Sequence, residues 1–226
     1  MKVFAVIPAF REVSRIGATI TAVRPFVDGI VVVDDGSGDG TAEAARVGDA
    51  IVLAHSINRG QGAALKTGTE AALRLGADVI VHVDADGQHD PSFIPTLIAP
   101  LKEGRADVVF GSRFLGEKSE GMPTTRRLFL KGARTFSAMV VGIPRKVTDA
   151  TSGMRAFTAN AAREIDFHQD RFAHCTEILR LVTHSSLRWV EVPVRVRYTA
   201  ESLAKGQKSL DALKVVWQLL MGVFID

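Results

Sequence analysis

Apolar runs and polar breaks alternate regularly along the first half of the chain. Short β-rich runs fall at Val3–Ile7, Ile30–Val33, Ala50–Leu53, Val79–Val83 and Val108–Phe110. Between them, Ser14–Phe26, Thr41–Arg46, Ala63–Leu75 and Ser92–Leu101 have helix-like character. Strands that are apolar throughout and alternate with helices predict an α/β fold, a mostly parallel sheet covered on both faces. Right-handed crossovers then bring the strand C-termini to one edge, where ligands bind. The polar motifs fall at that edge: Pro8-Ala9 after the first strand, Asp34-Asp35 after the second, Asp84-Ala85-Asp86 after the fourth.

The second half has a weaker rhythm. A basic, helix-like segment from Arg126 to Val141 precedes the polar stretch Thr148–Gly153. A short strand (Met154–Phe157), a helix near Cys175–Thr183 and extended segments at Trp189–Val192 and Val194–Tyr198 follow. The spacing of Leu210, Leu213, Val216, Trp217, Leu220 and Phe224 predicts an amphipathic final helix over Ser209–Phe224, with Ser209 as N-cap. Such a helix packs on the core or lies on a membrane. Glu117–Thr125 is expected to be a mobile loop.

Composition narrows the classes. With 226 residues, 46% hydrophobic and 23% charged, the chain is long and apolar enough to bury a core. Its one cysteine, Cys175, excludes an internal disulfide framework and a cysteine-rich zinc site, and it suits a reducing compartment. The six histidines lack zinc-ligand spacing. A net charge of +3 leans only weakly toward anionic partners. Aromatic residues at 7%, without basic-aromatic interleaving, argue against nucleic acid. The N-terminal segment lacks the pattern of a signal peptide. No segment reaches the ~20 apolar residues of a membrane span, the nearest being Val215 to Ile225.

Asp84 and Asp86 carry the chemistry. On an extended segment, side chains two apart point the same way, about 7 Å apart. Hard oxygen ligands so placed suit Mg²⁺ or Mn²⁺, and the amide oxygen of Gln88 would complete the set. A D-x-D alone is commonly a polar turn; its place directly after a buried strand favours the metal. The run Asp34–Thr41 fits a calcium loop only until its twelfth position, Arg46, where a glutamate is required. A glycine-containing turn that approaches a ligand, or a plain turn, fits better. Asn58–Gly68 misses both the dinucleotide and the Walker fingerprints. A helix start with Lys66 one turn inside favours anions, and a plain helix start is the alternative. Arg113, with Arg126, Arg127, Lys131 and Arg134 beyond it, offers guanidinium forks for phosphate, or a solvated basic face.

Together these motifs resemble family 2 glycosyltransferases of the GT-A fold, in particular the dolichol- and polyprenyl-phosphate mannose (hexose) synthases. The matching blocks are VIPAFRE (6–12), VVVDDGSGDGT (31–41), NRGQGAALKTG (58–68), DADGQHDP (84–91), GSRF (111–114), DATSG (149–153) and EVPVRV (191–196). The resemblance implies that Pro8, Ala9, Glu12, Asp35, Lys66, Asp84 and Asp86 bind the nucleotide-sugar. It implies that Asp84, Asp86 and Gln88 hold the metal, Mg²⁺ or Mn²⁺. Arg113, Arg126, Arg127 and Arg197 would hold an acceptor phosphate, and Asp86, Arg113 and Asp149 would be catalytic. The family's last basic motif matches poorly, since Arg197 and KGQKS (205–209) differ from it in spacing and order.

The resemblance further implies one in-line displacement at the anomeric carbon, with inversion. Relatives that act on hydroxyls carry an E-D pair where this chain has Glu177-Ile178. Its absence favours a polyprenyl phosphate, although Asp149 or Glu177 remains available as a base for a hydroxyl acceptor. The expected organisation is a single catalytic domain over 1–226: a nucleotide-sugar half (1–112), an acceptor half (113–208) and the amphipathic helix (209–226). The expected location is cytoplasmic, peripheral at the membrane face. Three rivals stay open: a glycosyltransferase with a glycan hydroxyl acceptor, a sugar nucleotidyltransferase, and a non-catalytic nucleotide-sugar binder. The nucleotidyltransferase lacks its glycine-rich basic signature after the first strand.

Overall fold

The computed structural model describes residues 1–116, 132, 142–171 and 173–197. Apart from Gly132, the expected helix over 126–141 lies outside the described residues, as do the loop at 117–125 and the final helix over 209–224.

Seven strands form one sheet in the order β3-β2-β1-β4-β6-β5-β7. They are β1 (Val3–Ala9), β2 (Gly29–Asp34), β3 (Ile51–Ala54), β4 (Val79–His82), β5 (Val108–Ser112), β6 (Arg155–Thr158) and β7 (Trp189–Pro193). All neighbours are parallel except β6, which runs antiparallel between β4 and β5. A strand from the second half of the chain is thus inserted between two from the first, and both halves share one sheet.

Alternate residues of each buried strand supply the two faces. Ala5 and Ile7 join a core under α1 (Ile16–Val23), α2 (Thr41–Val47) and α4 (Ile94–Lys102), with Ile16, Ile20, Ala45 and Leu97. Phe4 and Val6 join the opposite core under α3 (Gln61–Arg74), α5 (Ala159–Glu164) and α6 (His174–His184), with Leu65, Ala161 and Ile178. Period-two alternation with apolar residues on both faces is what the sequence pattern requires of a covered sheet.

The boundaries differ from the sequence pattern where local chemistry intervenes. The first helix ends at Val23 because Pro25 has no N–H to continue it, and Arg24–Phe26 close as a 3-10 turn. The fourth begins at Ile94, after a 3-10 turn (Pro91–Phe93) that Asp90 caps by accepting from Ser92 N. Strand β5 continues to Ser112 because β7 pairs alongside it. The named strand ends at Pro193, and within the expected extended segment 194–198 the described residues make an isolated bridge, His89 with Val196. Helix α5 was missed altogether: Thr158, which accepts from Ala161 N at 3.2 Å, is its cap and its one sequence signal.

Pro8 shows how the sheet edge is prepared. β4 pairs with β1 only as far as Val6↔His82, so Pro8 stands beyond that ladder, where its missing N–H leaves no bond unmade.

Candidate active site

Strand β4 ends at His82, and the chain turns sharply through Asp84–Gln88. The turn is tied down by Thr19 Oγ1 of α1, which donates to Ala85 O at 3.0 Å. Asp84 Oδ1 accepts from Gln61 Nε2 at 2.7 Å, and His89 Nδ1 lies 3.5 Å from its Oδ2. That His89 nitrogen is buried and has no hydrogen-bond partner. Gly153 closes on the same carboxylate: a Cβ there would lie 2.4 Å from Asp84 Oδ2.

Asp86 accepts from Gln88 N at 2.9 Å and from Gln88 Nε2 at 2.6 Å. Burial pushes its carboxyl above the ordinary range, and the charges of Asp84 and Glu12 add to that push. A half-buried carboxylate whose ionisation is opposed by burial and by the acids beside it marks a site short of positive charge. Hard oxygen donors in that state fit Mg²⁺ or Mn²⁺. Gln88 presents its NH₂ to Asp86, so donating its oxygen to a cation requires the amide to turn over. Among the described residues no cluster of three histidine, cysteine or acidic side chains forms a metal cage by itself. The remaining ligands would therefore come from bound diphosphate or water.

The β1 and β2 ends form the adjoining wall. Glu12 N donates to Thr41 Oγ1 and Arg11 N donates to Ser37 Oγ, which joins the VIPAFRE and DDGSGDGT segments. Glu12 is paired with Arg15 at 2.6 Å. Asp35, expected to contact ligand, is 2% exposed and turned inward. Its oxygens accept from Arg59 N (3.0 Å) and Gly60 N (2.7 Å) and face His55 Nδ1 (2.7 Å). It fixes the turn that starts α3. Lys66 likewise points elsewhere, to Asp166 Oδ1 at 2.6 Å and Phe167 O at 3.2 Å. It pins the 166–170 loop over the α3 N-terminus, where Asp170 O accepts from Gly62 N.

Beyond β5, Arg113 and the buried Asp149 form a two-pronged pair, Nε to Oδ2 at 2.6 Å and Nη2 to Oδ1 at 2.7 Å. Arg113 Nη2 also donates to Thr151 Oγ1 at 2.7 Å. Burial pushes the Asp149 carboxyl up, but the charge and hydrogen bonds of Arg113 outweigh it and hold the group below the usual range. Glu191 on β7 accepts from Thr148 N and Asp149 N, so β7 carries the Thr148–Asp149 loop. Glu177 accepts from His168 N and Gln169 N at 2.9 and 2.8 Å. Arg197 N donates to Gln88 O, and its Nη2 lies 3.6 Å from Asp90 Oδ2. Arg126 and Arg127 lie outside the described residues.

The structure thus brings Pro8, Ala9, Glu12, Asp84, Asp86, Gln88 and Arg197 to one sheet edge, where Asp35 also stands, buried, while Lys66 pairs with Asp166 at the surface. Sequence reasoning missed Gln61, His89, Gly153 and Glu191. All four stood inside the matching blocks, but the contacts of Gln61 with Asp84 and of Glu191 with Thr148 and Asp149 depend on chain crossings that no local pattern displays.

Residues 4–166 match the family model described as glycosyl transferase family 2. The chain is 31% identical over 240 residues to the UDP-N-acetylglucosamine–dolichyl-phosphate N-acetylglucosaminyltransferase of Methanococcus voltae, covering 97% of this chain and 95% of that one. It is 34% identical over 174 residues to the undecaprenyl-phosphate mannosyltransferase of Micrococcus luteus, covering 74% and 70%. Among solved structures it is similar to glucosyl-3-phosphoglycerate synthase of Mycobacterium tuberculosis, crystallised with Mn²⁺, UDP and phosphoglyceric acid. That match has a TM-score of 0.76 at 21% identity over 99% of this chain and 77% of that one, a likeness of fold.

Proposed function

The chain belongs to glycosyl transferase family 2 and has the GT-A fold, and from that premise we propose that it is a metal-dependent, inverting glycosyltransferase. Its donor is a nucleoside diphosphate-sugar, GDP-mannose or a UDP-hexose, and its acceptor a polyprenyl or dolichyl phosphate at a membrane surface. The observation that carries the reading is the Asp84–Asp86 pair, a charge-deficient site at the sheet edge where donors bind in α/β folds.

In this reading Pro8, Ala9 and Glu12 line the nucleotide site, with Asp35 and Lys66 holding its walls. Asp84, Asp86 and the turned Gln88 amide hold Mg²⁺ or Mn²⁺. A bound cation there supplies Lewis-acid neutralisation of the departing diphosphate. Residues 1–112 form the donor side. The acceptor side, 113–208, contributes Arg113, Arg126, Arg127 and Arg197 toward the acceptor phosphate, and the enzyme works peripherally at the cytoplasmic membrane face. Among the described residues no helix is long and apolar enough to cross a membrane.

The choice of acceptor follows from proton chemistry. A phosphate is already anionic near neutral pH and needs no general base, whereas a hydroxyl needs one. Asp149 is clasped by Arg113 and held below the usual carboxylate range, which makes it a weak base. Both oxygens of Glu177 are engaged by backbone N–H groups. Two relatives named above act on lipid phosphates by their names, one with N-acetylglucosamine and one with mannose. They support the acceptor class and leave the sugar open.

The test is a panel of nucleotide-sugars with Mn²⁺ or Mg²⁺, with nucleotide release followed with and without a short polyprenyl phosphate. Lipid-stimulated release from one donor is expected. Release stimulated only by glycan hydroxyls would overturn the lipid-phosphate acceptor.

A further inference from the structure

Behind the donor site, on the face of the sheet covered by α3 and α6, lies a second cluster of titratable side chains. Arg155 on β6 is 1% exposed, and its neighbour across the ladder is His82 on β4, 2% exposed. Arg155 spends Nε and Nη2 on one carbonyl, Ser152 O, at 3.1 and 2.8 Å, while Nη1 has no hydrogen-bond partner. Among the described residues no carboxylate pairs with it. A buried guanidinium without an anion is costly.

The candidate anion is the chain's one cysteine. Cys175 lies in the first turn of α6, an eleven-residue helix, where the exposed N–H dipoles favour negative charge. His174 Nδ1 lies 2.7 Å from Arg171 O and donates its proton to that carbonyl, which leaves Nε2 facing Cys175 Sγ at 3.4 Å. In the neutral ring that nitrogen takes the thiol proton, the arrangement by which an imidazole activates a thiol. Among the described residues, the other charged or titratable groups facing the sulfur's surroundings are Arg155 from β6 and, behind it, His82 from β4, whose Nε2 is engaged by Thr69 Oγ1 of α3 at 3.0 Å.

We propose that Cys175 is a nucleophilic modification site, a thiolate set between His174 and Arg155 at the start of α6, that takes soft electrophiles and peroxide-class oxidants. As a residue Cys175 is intermediate in exposure, and the alkylation rate tests how far small reagents reach its sulfur. Burial pushes the thiol up; the charges of His174 and Arg155 outweigh it and bring it down to about 6. With hydrogen peroxide as oxidant, the sulfur attacks one oxygen, an S–O bond forms and the O–O bond breaks. The leaving hydroxide takes a proton from the His174 imidazolium, giving sulfenic acid, water and neutral imidazole. Modification removes the negative charge, so Arg155 is left buried without its anion. The modified chain is therefore expected to melt below the parent.

With a single cysteine, labelling needs no site mapping. The test is the alkylation rate by iodoacetamide from pH 5 to 10, by mass spectrometry, on the folded chain and in urea. A midpoint near 6 is expected in the folded chain, against about 8.5 in urea. Equal midpoints near 8.5 would overturn the proposal. His174→Gln should move the folded midpoint upward; an unmoved midpoint in that folded variant would overturn the part given to His174. Peroxide with dimedone should yield one adduct on the parent and none on Cys175→Ser, and a parent without adduct would overturn the oxidant arm. Should the variants fail to fold, the parent's two pH profiles and its adduct still decide.

Discussion

Arg113 grips Asp149 through two parallel hydrogen bonds, Nε to Oδ2 at 2.6 Å and Nη2 to Oδ1 at 2.7 Å, with the carboxylate side chain 1% exposed. This pair decides how the second half of the site is built. Glu191 on β7 holds the backbone of the Thr148–Asp149 loop, and Asp149 then orients the guanidinium at the end of β5. The arginine is placed by a carboxylate that is itself kept ionised.

Removing one partner of such a pair leaves a charge with no counter-charge. Asp149→Asn is expected to cost about 3 kcal/mol of stability at pH 7, read from urea unfolding. Because the folded-state carboxyl is held below its usual range, the pair's contribution is fully present above the unfolded value, about 3.9. It is lost as pH falls through the lower, folded value. Parent and variant unfolding curves should therefore stay apart at pH 5–7 and converge below about pH 4. A gap that persists at the lowest pH would contradict the assignment.

Asp86 presents the opposite case, a carboxylate beside Asp84 that carries an electrostatic cost without a cation. In metal-free buffer Asp86→Asn is expected to melt at or above the parent's temperature. Mn²⁺ should raise the melting temperature of the parent by several degrees at saturating concentration and leave the variant's unmoved. Thermal melts of both proteins with Mn²⁺ and with chelator measure this directly.

Gly153 tests the site without removing a carboxylate. An added Cβ would stand 2.4 Å from Asp84 Oδ2, the end of a side chain that can rotate away. Gly153→Ala should therefore keep the fold, within about 1 kcal/mol of the parent. It should weaken Mn²⁺-dependent nucleotide binding by about tenfold, equivalent to about 1.4 kcal/mol. Titration calorimetry beside a urea curve separates the two effects.

At Gly62 the obstacle is backbone. A Cβ there would lie 2.0 Å from Gln169 O, and the 166–170 loop cannot give way without losing Asp170 O as acceptor for Gly62 N. Gly62→Ala is expected to cost about 2 kcal/mol or more. Proteolysis of the folded chain should show new cleavage near Asp166–Arg171.

The sheet was legible in the sequence because its strands are apolar on both faces and its ligand motifs stand directly after them. Val3–Ile7 and Asp84-Ala85-Asp86 needed no tertiary information. The antiparallel insertion of β6 did not show, since a four-residue strand carries no sign of its partners or direction. Asp35 and Lys66 looked like ligand contacts because an acid at a strand end and a lysine in a helix's first turns usually face the cleft. The burial of Asp35 against Gly60 N and the surface pairing of Lys66 with Asp166 depend on contacts between segments far apart in the chain. The Arg113–Asp149 pair was visible only as two separate motifs, 36 residues apart in the chain.

The most direct test of the central claim is calorimetric titration of UDP and GDP into the parent and into Asp86→Asn, each with Mn²⁺ and with chelator. Mn²⁺ is expected to tighten binding of one nucleotide to the parent by about tenfold or more, at least ~1.4 kcal/mol, and Asp86→Asn to abolish this coupling. Nucleotide binding that is equally tight with and without Mn²⁺, or coupling that survives in the variant, would contradict the placement of metal and diphosphate at Asp84 and Asp86.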